Sequence, residues 1–155
     1  MPRPKTSQSP YQYVRKGVFT PQNPRKYKGD YTNIIFRSSW EKKFMNWLDT
    51  NSNVRCWSSE EVVIPYRDPL RKHPRRYFVD FYVEMVTKEN ELKKYLIEIK
   101  PKKQTVPPPK PKRQTKQYIS EVYEYAKNQS KWEAAREWCA DRGYEFKVIT
   151  EDNLF

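Results

Sequence analysis

The chain has 155 residues, enough for about one domain, and 31 Lys and Arg against 19 Asp and Glu give it a formal net charge of +12. No stretch approaches the roughly 18 apolar residues that span a bilayer, and no apolar segment follows the first basic residues, so we expect neither a membrane partner nor a secretory signal. Aromatic residues make up 15% of the chain, which excludes full disorder because disordered chains are poor in aromatics.

Residues 1–33 are predicted to form an extended, basic, proline-rich N-terminal arm, and the domain itself is expected to span residues 34–155. Five prolines within this stretch exclude a regular helix. Val18 and Phe19 are the kind of residues that would let part of the arm pack against the domain. The core is expected to begin near Ile34.

The first half of the domain is predicted to hold one helix and several strands. Ser38 and Glu41 have the spacing of a capping box and predict a helix from Ser39 to Asp49. Strands are then predicted over residues 54–57, 62–66, 77–86 and 95–100. The last two of these strands are predicted to pair as an antiparallel hairpin with a longer loop.

The second half of the domain is predicted to cross over and return to the sheet. Residues 101–112 hold five prolines and four lysines, which is typical of a stiff extended linker. A helical pattern starts near Thr115, is interrupted at Asn128-Gln129-Ser130, and ends at Gly143, a typical left-handed C-terminal residue. Residues 144–148 predict a last strand. A strand, a helical crossover and a strand imply a parallel pairing and an α/β or α+β fold.

Basic residues cluster in three proline-bearing segments, 1–30, 67–76 and 101–117, which hold 18 of the 31 Lys and Arg. Such clusters grip phosphates without reading base sequence, which favours a nucleic-acid partner over a merely soluble basic surface. His73, in the second segment, is expected to be solvated or to contact phosphate. The candidate DNA-binding residues are Arg37, Arg71, Lys72, Arg75, Arg76, Lys102, Lys103, Lys110, Lys112 and Arg113.

Three residues on two predicted strands suggest hydrolytic chemistry. Asp80 interrupts an aromatic strand in which Asp is disfavoured, and Glu98 and Lys100 share one face of the next strand. If the strands pair, these side chains converge, and Asp80, Glu98 and the Ile99 carbonyl form an oxygen-rich site for Mg²⁺ or Mn²⁺. Lys100 would orient the attacking water or stabilise the transition state. The alternative is a solvated charged sheet face with no chemistry.

Glu41 and the two cysteines are the other candidates for a functional role. Spacing alone favours Glu41 as the capping-box glutamate, and the alternative is a carboxylate aimed at the same metal. Cys56 and Cys139 lie 83 positions apart, which fits neither a metal knuckle nor a disulfide framework. We expect two free, mostly buried thiols.

The motif order resembles the PD-(D/E)xK nuclease superfamily and, more narrowly, the head completion nucleases of T-even-type phages, with a more distant similarity to TnsA-like transposon endonucleases. Val79 stands where the superfamily has the proline of its Pro-Asp pair. The motifs that carry the resemblance span most of residues 21–155. They are FRSSWEKKFMNWLD at 36–49, VIPY at 63–66, RRYFVDFY at 75–82, IEIKPKKQTVPPPKP at 97–111, KWEAA at 131–135 and ITED at 149–152.

The resemblance implies a restriction-endonuclease-like core, a small mixed sheet flanked by helices, and a divalent-metal-dependent DNA endonuclease. It implies that Glu41, Asp80, Glu98 and Lys100 form the catalytic set, with Glu41 beside the metal. It also implies action on double-stranded DNA during phage head completion and head-tail joining, in the host cytoplasm and at the virion neck. The alternatives are a structural neck protein that binds portal and DNA with little catalysis, and a basic nucleic-acid-binding module.

Overall fold

The computed structural model describes residues 16–154 and contains eight strands and three helices in that range. The strands are Gly17–Phe19 (β1), Ile34–Phe36 (β2), Val54–Ser59 (β3), Val63–Arg67 (β4), Pro74–Phe78 (β5), Phe81–Val86 (β6), Leu92–Ile99 (β7) and Glu145–Ile149 (β8). The helices are Ser39–Thr50 (α1), Lys116–Arg142 (α2) and Glu151–Leu154 (α3), and short 3-10 turns lie at Pro24–Lys26 and Lys102–Gln104. None of these helices is both long and apolar enough to cross a membrane.

A four-stranded mixed sheet, in the order β3-β6-β7-β8, forms the centre of the molecule. The pairs β3–β6 and β6–β7 are antiparallel, whereas β7 and β8 are parallel. Because α2 connects β7 to β8, the predicted parallel pairing after a helical crossover is confirmed. The mixed α/β fold expected from the sequence is therefore the fold of this chain.

Both faces of the sheet are buried, and each face has its own hydrophobic core. One core packs α1 and the N-terminal segment against the sheet, and the other packs α2 and the β4–β5 hairpin against it. Burying a large apolar side chain contributes about 1.5–3 kcal/mol, so both layers stabilise the sheet substantially. The first core includes Trp40, Phe44, Leu48, Trp57, Phe81, Ile97 and Ile99, and the second includes Ile64, Tyr66, Leu96, Trp132, Ala135 and Cys139.

Helix α2 is continuous over 27 residues, so the predicted interruption at Asn128-Gln129-Ser130 is wrong. These residues favour caps and turns locally. The helix continues because Asn128 is buried and the next two turns place Trp132 and Ala135 against the sheet. The end of the helix is as expected, since Gly143 adopts the left-handed conformation with φ 72°.

The predicted strand 77–86 is two strands with a bend between them. Strand β5 pairs with β4 in a separate two-stranded hairpin, while β6 pairs with β3 and β7 in the central sheet. The chain must change direction between these sheets, and it does so at Val79 and Asp80. The Val79 N–H donates to the Val62 carbonyl, and the Asp80 carbonyl accepts from the Glu60 N–H. Asp80 therefore lies on the bend and not within a regular strand.

Part of the predicted N-terminal arm packs against the domain within the described residues. Strand β1 pairs with β2, and the rings of Phe19 and Tyr27 pack edge-on against Trp57, with centroids 5.9 and 4.8 Å away. Aromatic pairs of this geometry stabilise beyond the area that they bury. Residues 1–15 of the predicted arm lie outside the described part of the chain.

Candidate active site

The pairing of β6 with β7 brings Asp80 beside Glu98. Phe81 faces Ile97 across the ladder, so the bend that precedes β6 lies next to the end of β7. The Ile99 N–H donates to Asp80 Oδ2 at 2.9 Å, and Lys100 Nζ lies 3.8 Å from Glu98 Oε1. The three side chains that the sequence singles out thus meet at one end of the central sheet.

The two carboxylates are held close together in a poorly solvated position. Glu98 is 6% exposed, and its burial raises its pKa, although Lys100 and a hydrogen bond from Tyr77 act in the opposite direction. Burial, followed by the charges of Glu98 and Glu41, raises the pKa of Asp80 well above its ordinary value. Both carboxylates would gain from a positive ion between them.

Tyr77 belongs to this site, and the sequence analysis missed it. Its hydroxyl donates to Glu98 Oε2 across the interface between the β4–β5 hairpin and the central sheet. The pKa of Tyr77 is raised by burial and by the charge of Glu98, so the phenol keeps its proton. Only the pairing of β4 with β5 turns Tyr77 toward Glu98, and no spacing rule in the sequence indicates that.

Glu41 lies in the first turn of α1, and the structure supports elements of both interpretations. Its N–H donates to Ser38 Oγ at 3.0 Å, as a cap requires. Its carboxylate is buried and accepts a hydrogen bond from the Arg37 backbone. Burial is the main reason that the pKa of Glu41 is raised to about 7, and Glu60 and Glu98 add to the rise. The carboxylate therefore lies in the electrostatic field of the Asp80–Glu98 pair.

Replacing Glu41 by Gln should stabilise the metal-free protein at neutral and higher pH. Below pH 4.5 the folded and unfolded chains both keep the proton. Between pH 4.5 and 7 only the unfolded chain releases it, so the free energy of unfolding of the wild type falls across that window. Glu41→Gln removes this loss, so the free energy of unfolding of the variant should exceed that of the wild type by about 3 kcal/mol at pH 8. Urea unfolding at pH 4 and pH 8 measures it.

Glu133, exposed on α2, supplies the matched control for that measurement. Glu133→Gln removes one carboxylate without relieving a buried charge, and its effect should stay within about 0.5 kcal/mol at both pH values. An advantage of Glu41→Gln that is the same at pH 4 and pH 8 would contradict the assigned burial of the Glu41 charge.

Glu60 is a further acidic residue near the site that the sequence analysis missed. It has a left-handed backbone with φ 57°, which is uncommon for a residue other than Gly, Asn or Asp. Its carboxylate receives Arg37 Nε at 2.7 Å and a second guanidinium nitrogen at 3.2 Å. Arg37, which the sequence suggested as a DNA contact, is therefore engaged in a two-point ion pair at the edge of the site.

A divalent cation fits the chemistry of the Asp80–Glu98 pair. Hard oxygen ligands, mutual repulsion and burial are the conditions that Mg²⁺ relieves. Within residues 16–154, no three His, Cys, Asp or Glu side chains lie close enough to share one ion. Glu41 as a ligand, directly or through water, and the Ile99 carbonyl as a ligand therefore stay predictions.

A buried carboxylate holds the basic β4–β5 hairpin in place; Arg71 and Lys72 lie on its exposed turn, and Arg75 and Arg76 are exposed on β5. Asp68 is 1% exposed and accepts hydrogen bonds from the Tyr123 hydroxyl at 2.7 and 2.8 Å and from the Leu70 N–H at 3.0 Å. Arg75 lies 3.4 Å away. Burial raises the pKa of Asp68, but these donors outweigh it and the pKa is lowered. The basic turn is thus anchored to α2.

Removing the Tyr123 hydroxyl should weaken DNA binding without removing any positive charge. Tyr123→Phe takes away both hydrogen bonds to Asp68 and loosens the hairpin, so binding must order the hairpin again. We expect roughly fivefold weaker binding of a labelled duplex, measured by fluorescence anisotropy. Tyr118→Phe is the control, because within the described residues the Tyr118 hydroxyl makes no hydrogen bond. Equal affinities of the two variants would contradict an anchoring role.

The remaining candidate DNA-binding residues lie along the proline-rich segment 101–112 and just after it. Lys102 is engaged with Asp152 at 2.9 Å. The others are exposed and make no ion pair to any residue in the described part of the chain; they are Lys103, Lys110, Lys112 and Arg113. A cleft of about 480 Å³ separates this segment from α2, and Lys100 and Asn128 form part of its wall. The cleft therefore opens beside the candidate active site.

The Cys56 and Cys139 thiols are free, as expected. Cys139 is buried against the sheet, while Cys56 is half-buried and donates a hydrogen bond to Glu84. Burial and the neighbouring Glu84 raise the pKa of Cys56 to about 12. Neither thiol is therefore poised as a nucleophile.

A mixed sheet between two helical layers, with paired carboxylates and a lysine at one end, is the architecture of a nuclease-like domain. Residues 51–151 match the family model described as TnsA-like endonuclease N terminal, and the chain belongs to this family. The chain is also 42% identical over 142 residues to the Head completion nuclease of Enterobacteria phage T4. This similarity covers 89% of the chain and 92% of the relative. The resemblance inferred from the motifs is thereby confirmed.

Proposed function

We propose that this chain is a divalent-metal-dependent DNA endonuclease that acts in phage head completion and head-tail joining. The observation that carries the proposal is the buried Asp80–Glu98 pair with Lys100 at 3.8 Å from Glu98. Two crowded carboxylates and one ammonium meet where β5 of the hairpin leads into β6 of the central sheet. A structural module has no need of such a costly arrangement.

The metal would be held by Asp80 and Glu98, with the Ile99 carbonyl and Glu41 as further ligands. When bound, Mg²⁺ or Mn²⁺ supplies a more acidic water and neutralises charge on the phosphate. Tyr77 fixes the orientation of the Glu98 carboxylate by donating to it. Lys100 favours the ionised form of Glu98 and would present an ammonium to a phosphate oxygen or to the attacking water.

Double-stranded DNA is the proposed substrate because of the net charge of +12 and its distribution. The anchored hairpin and the lysines of the proline-rich segment would neutralise phosphates on either side of the site. The name of the phage T4 relative supports a role in head completion. Portal or neck proteins as further partners, and a place in the host cytoplasm and at the virion neck, follow from that role and are part of the proposal.

Incubating supercoiled plasmid with the purified chain tests the proposal. With Mg²⁺ or Mn²⁺ we expect nicked and linear products, and with EDTA we expect none, because the two carboxylates alone repel the phosphate. Gel mobility shift in EDTA should still detect binding. Intact plasmid at every metal concentration, combined with undiminished binding, would favour the structural neck protein instead.

A further inference from the structure

Lys131 of α2 is a half-buried cation that lies close to the active site. Its ammonium lies over the rings of Tyr66 and Tyr77, 5.6 and 5.5 Å from their centroids. Tyr77 in turn donates to Glu98 through its hydroxyl. One aromatic residue therefore contacts both the Lys131 ammonium and a carboxylate of the site.

The charge of Lys131 is not matched by an acid in direct contact. Within residues 16–154 no carboxylate lies within 4 Å of its Nζ, and burial lowers its pKa while Glu98 acts in the opposite direction. Lys127, one turn earlier on the same helix, also lies over a tyrosine ring, that of Tyr123, but it pairs with Glu124 at 3.0 Å. Lys131 is thus an ammonium held in place by rings, with donors left for an anion.

Lys100 and Lys131 act on the same carboxylate, since both charges lower the pKa of Glu98. Lys100 also makes the positive charge of Lys131 more costly. Two ammoniums beside Glu98 offset part of the negative charge of the acidic site, and each can donate to an incoming phosphate oxygen. The rings of Tyr66 and Tyr77 preorganise Lys131 for this contact at little further cost in side-chain entropy.

We propose that Lys131 is a second phosphate-binding residue of the active site, contacting the DNA backbone beside the phosphate that Lys100 faces. The inference rests on the proposed nuclease function, and it adds a substrate contact supplied by α2. It also gives the continuity of α2 through residues 128–130 a functional consequence, because a break there would detach Lys131 from the site.

Three variants test the assignment: Lys131→Met, Lys131→Arg and, as the matched control, Lys127→Met. Methionine keeps an apolar stem over the tyrosine rings, so folding should be retained, which thermal unfolding checks. Binding of a labelled short duplex is measured by anisotropy in EDTA across a series of salt concentrations. Lys131→Met should bind roughly tenfold more weakly, and its slope of log K against log salt should be shallower by about 1.

Lys131→Arg should restore most of the affinity and the slope, because the positive charge returns, and Lys127→Met should resemble the wild type. Single-turnover cleavage at limiting DNA should fall in parallel with binding in Lys131→Met. A salt slope equal to that of Lys127→Met would overturn the proposal. So would slower cleavage at unchanged affinity with a displaced pH profile, since Lys131 would then act only through Glu98. If the wild type cleaves no DNA, the proposed function fails, and the salt slope alone still decides the role of Lys131.

Discussion

Asp80→Asn should abolish cleavage while the protein remains folded and bound to DNA. The amide removes one of the two carboxylates on which metal binding depends, and we expect the rate to fall by a factor on the order of 10³ or more. The Asn oxygen still accepts from the Ile99 N–H, so the local hydrogen bond persists. Because the pKa of Asp80 is raised by burial and by Glu98 and Glu41, losing its charge should stabilise the metal-free protein at neutral pH.

The measurements are single-turnover cleavage with Mg²⁺, anisotropy in EDTA and urea unfolding at pH 7. Asp68→Asn is the matched control, since Asp68 is also buried but its pKa is lowered by the donors around it. The control should lose stability and keep the cleavage rate of bound DNA. Wild-type cleavage by Asp80→Asn would remove the basis for the active site described above.

Asp49→Ala should destabilise the protein by about 3 kcal/mol, because it removes the buried carboxylate that ties the N-terminal segment to α1. Asp49 is 1% exposed, and its carboxylate accepts from the Gln22 N–H at 2.7 Å and the Asn23 N–H at 3.0 Å. Without it, both amides lose their acceptor. Tyr27 lies a few residues further along the chain, so its packing against Trp57 would weaken as well.

Urea unfolding measures this loss, with Asp141→Ala as the control on an exposed aspartate near the end of α2. The control should change the free energy of unfolding by less than about 0.5 kcal/mol. If Asp49→Ala unfolds at the same urea concentration as the wild type, residues 22–26 do not contribute to the stability of the domain, in agreement with the boundary near residue 34 predicted from the sequence.

The nuclease family and the choice of candidate residues were predictable because they depend on residue order and local spacing. The pattern of Glu41, Asp80 and IEIKPKK, followed by a helical pattern and a strand, was sufficient to indicate the family to which the chain belongs. Local rules also predicted the start of α1 at Ser38 and the end of α2 at Gly143. The Ser38 side chain accepts a hydrogen bond from a backbone N–H at the start of α1, and Gly143 adopts the left-handed conformation that ends α2.

The helix continuity and the depth of the N-terminal packing were not predictable, because distant contacts decide them. The propensities of Asn128 and Ser130 favour a break, and they are outweighed by the burial of Trp132 against the sheet. Proline content likewise suggested an arm up to residue 33, whereas Tyr27 is buried against Trp57 of β3. Local propensities amount to a few tenths of a kcal/mol per residue, and buried aromatic contacts exceed them.

Residue order alone is enough to indicate the nuclease class, the crossover that makes β7 and β8 parallel, and Asp80, Glu98 and Lys100 as a candidate set. The position of Asp80 on a bend, the hydrogen bond from Tyr77 to Glu98, and the nearness of Glu60 and Lys131 to the same carboxylates become visible once the elements are packed together. The two kinds of feature depend on interactions of different range. Spacing along one element specifies which residues share a face, whereas the meeting of the hairpin, the central sheet and α2 depends on how their buried surfaces pack.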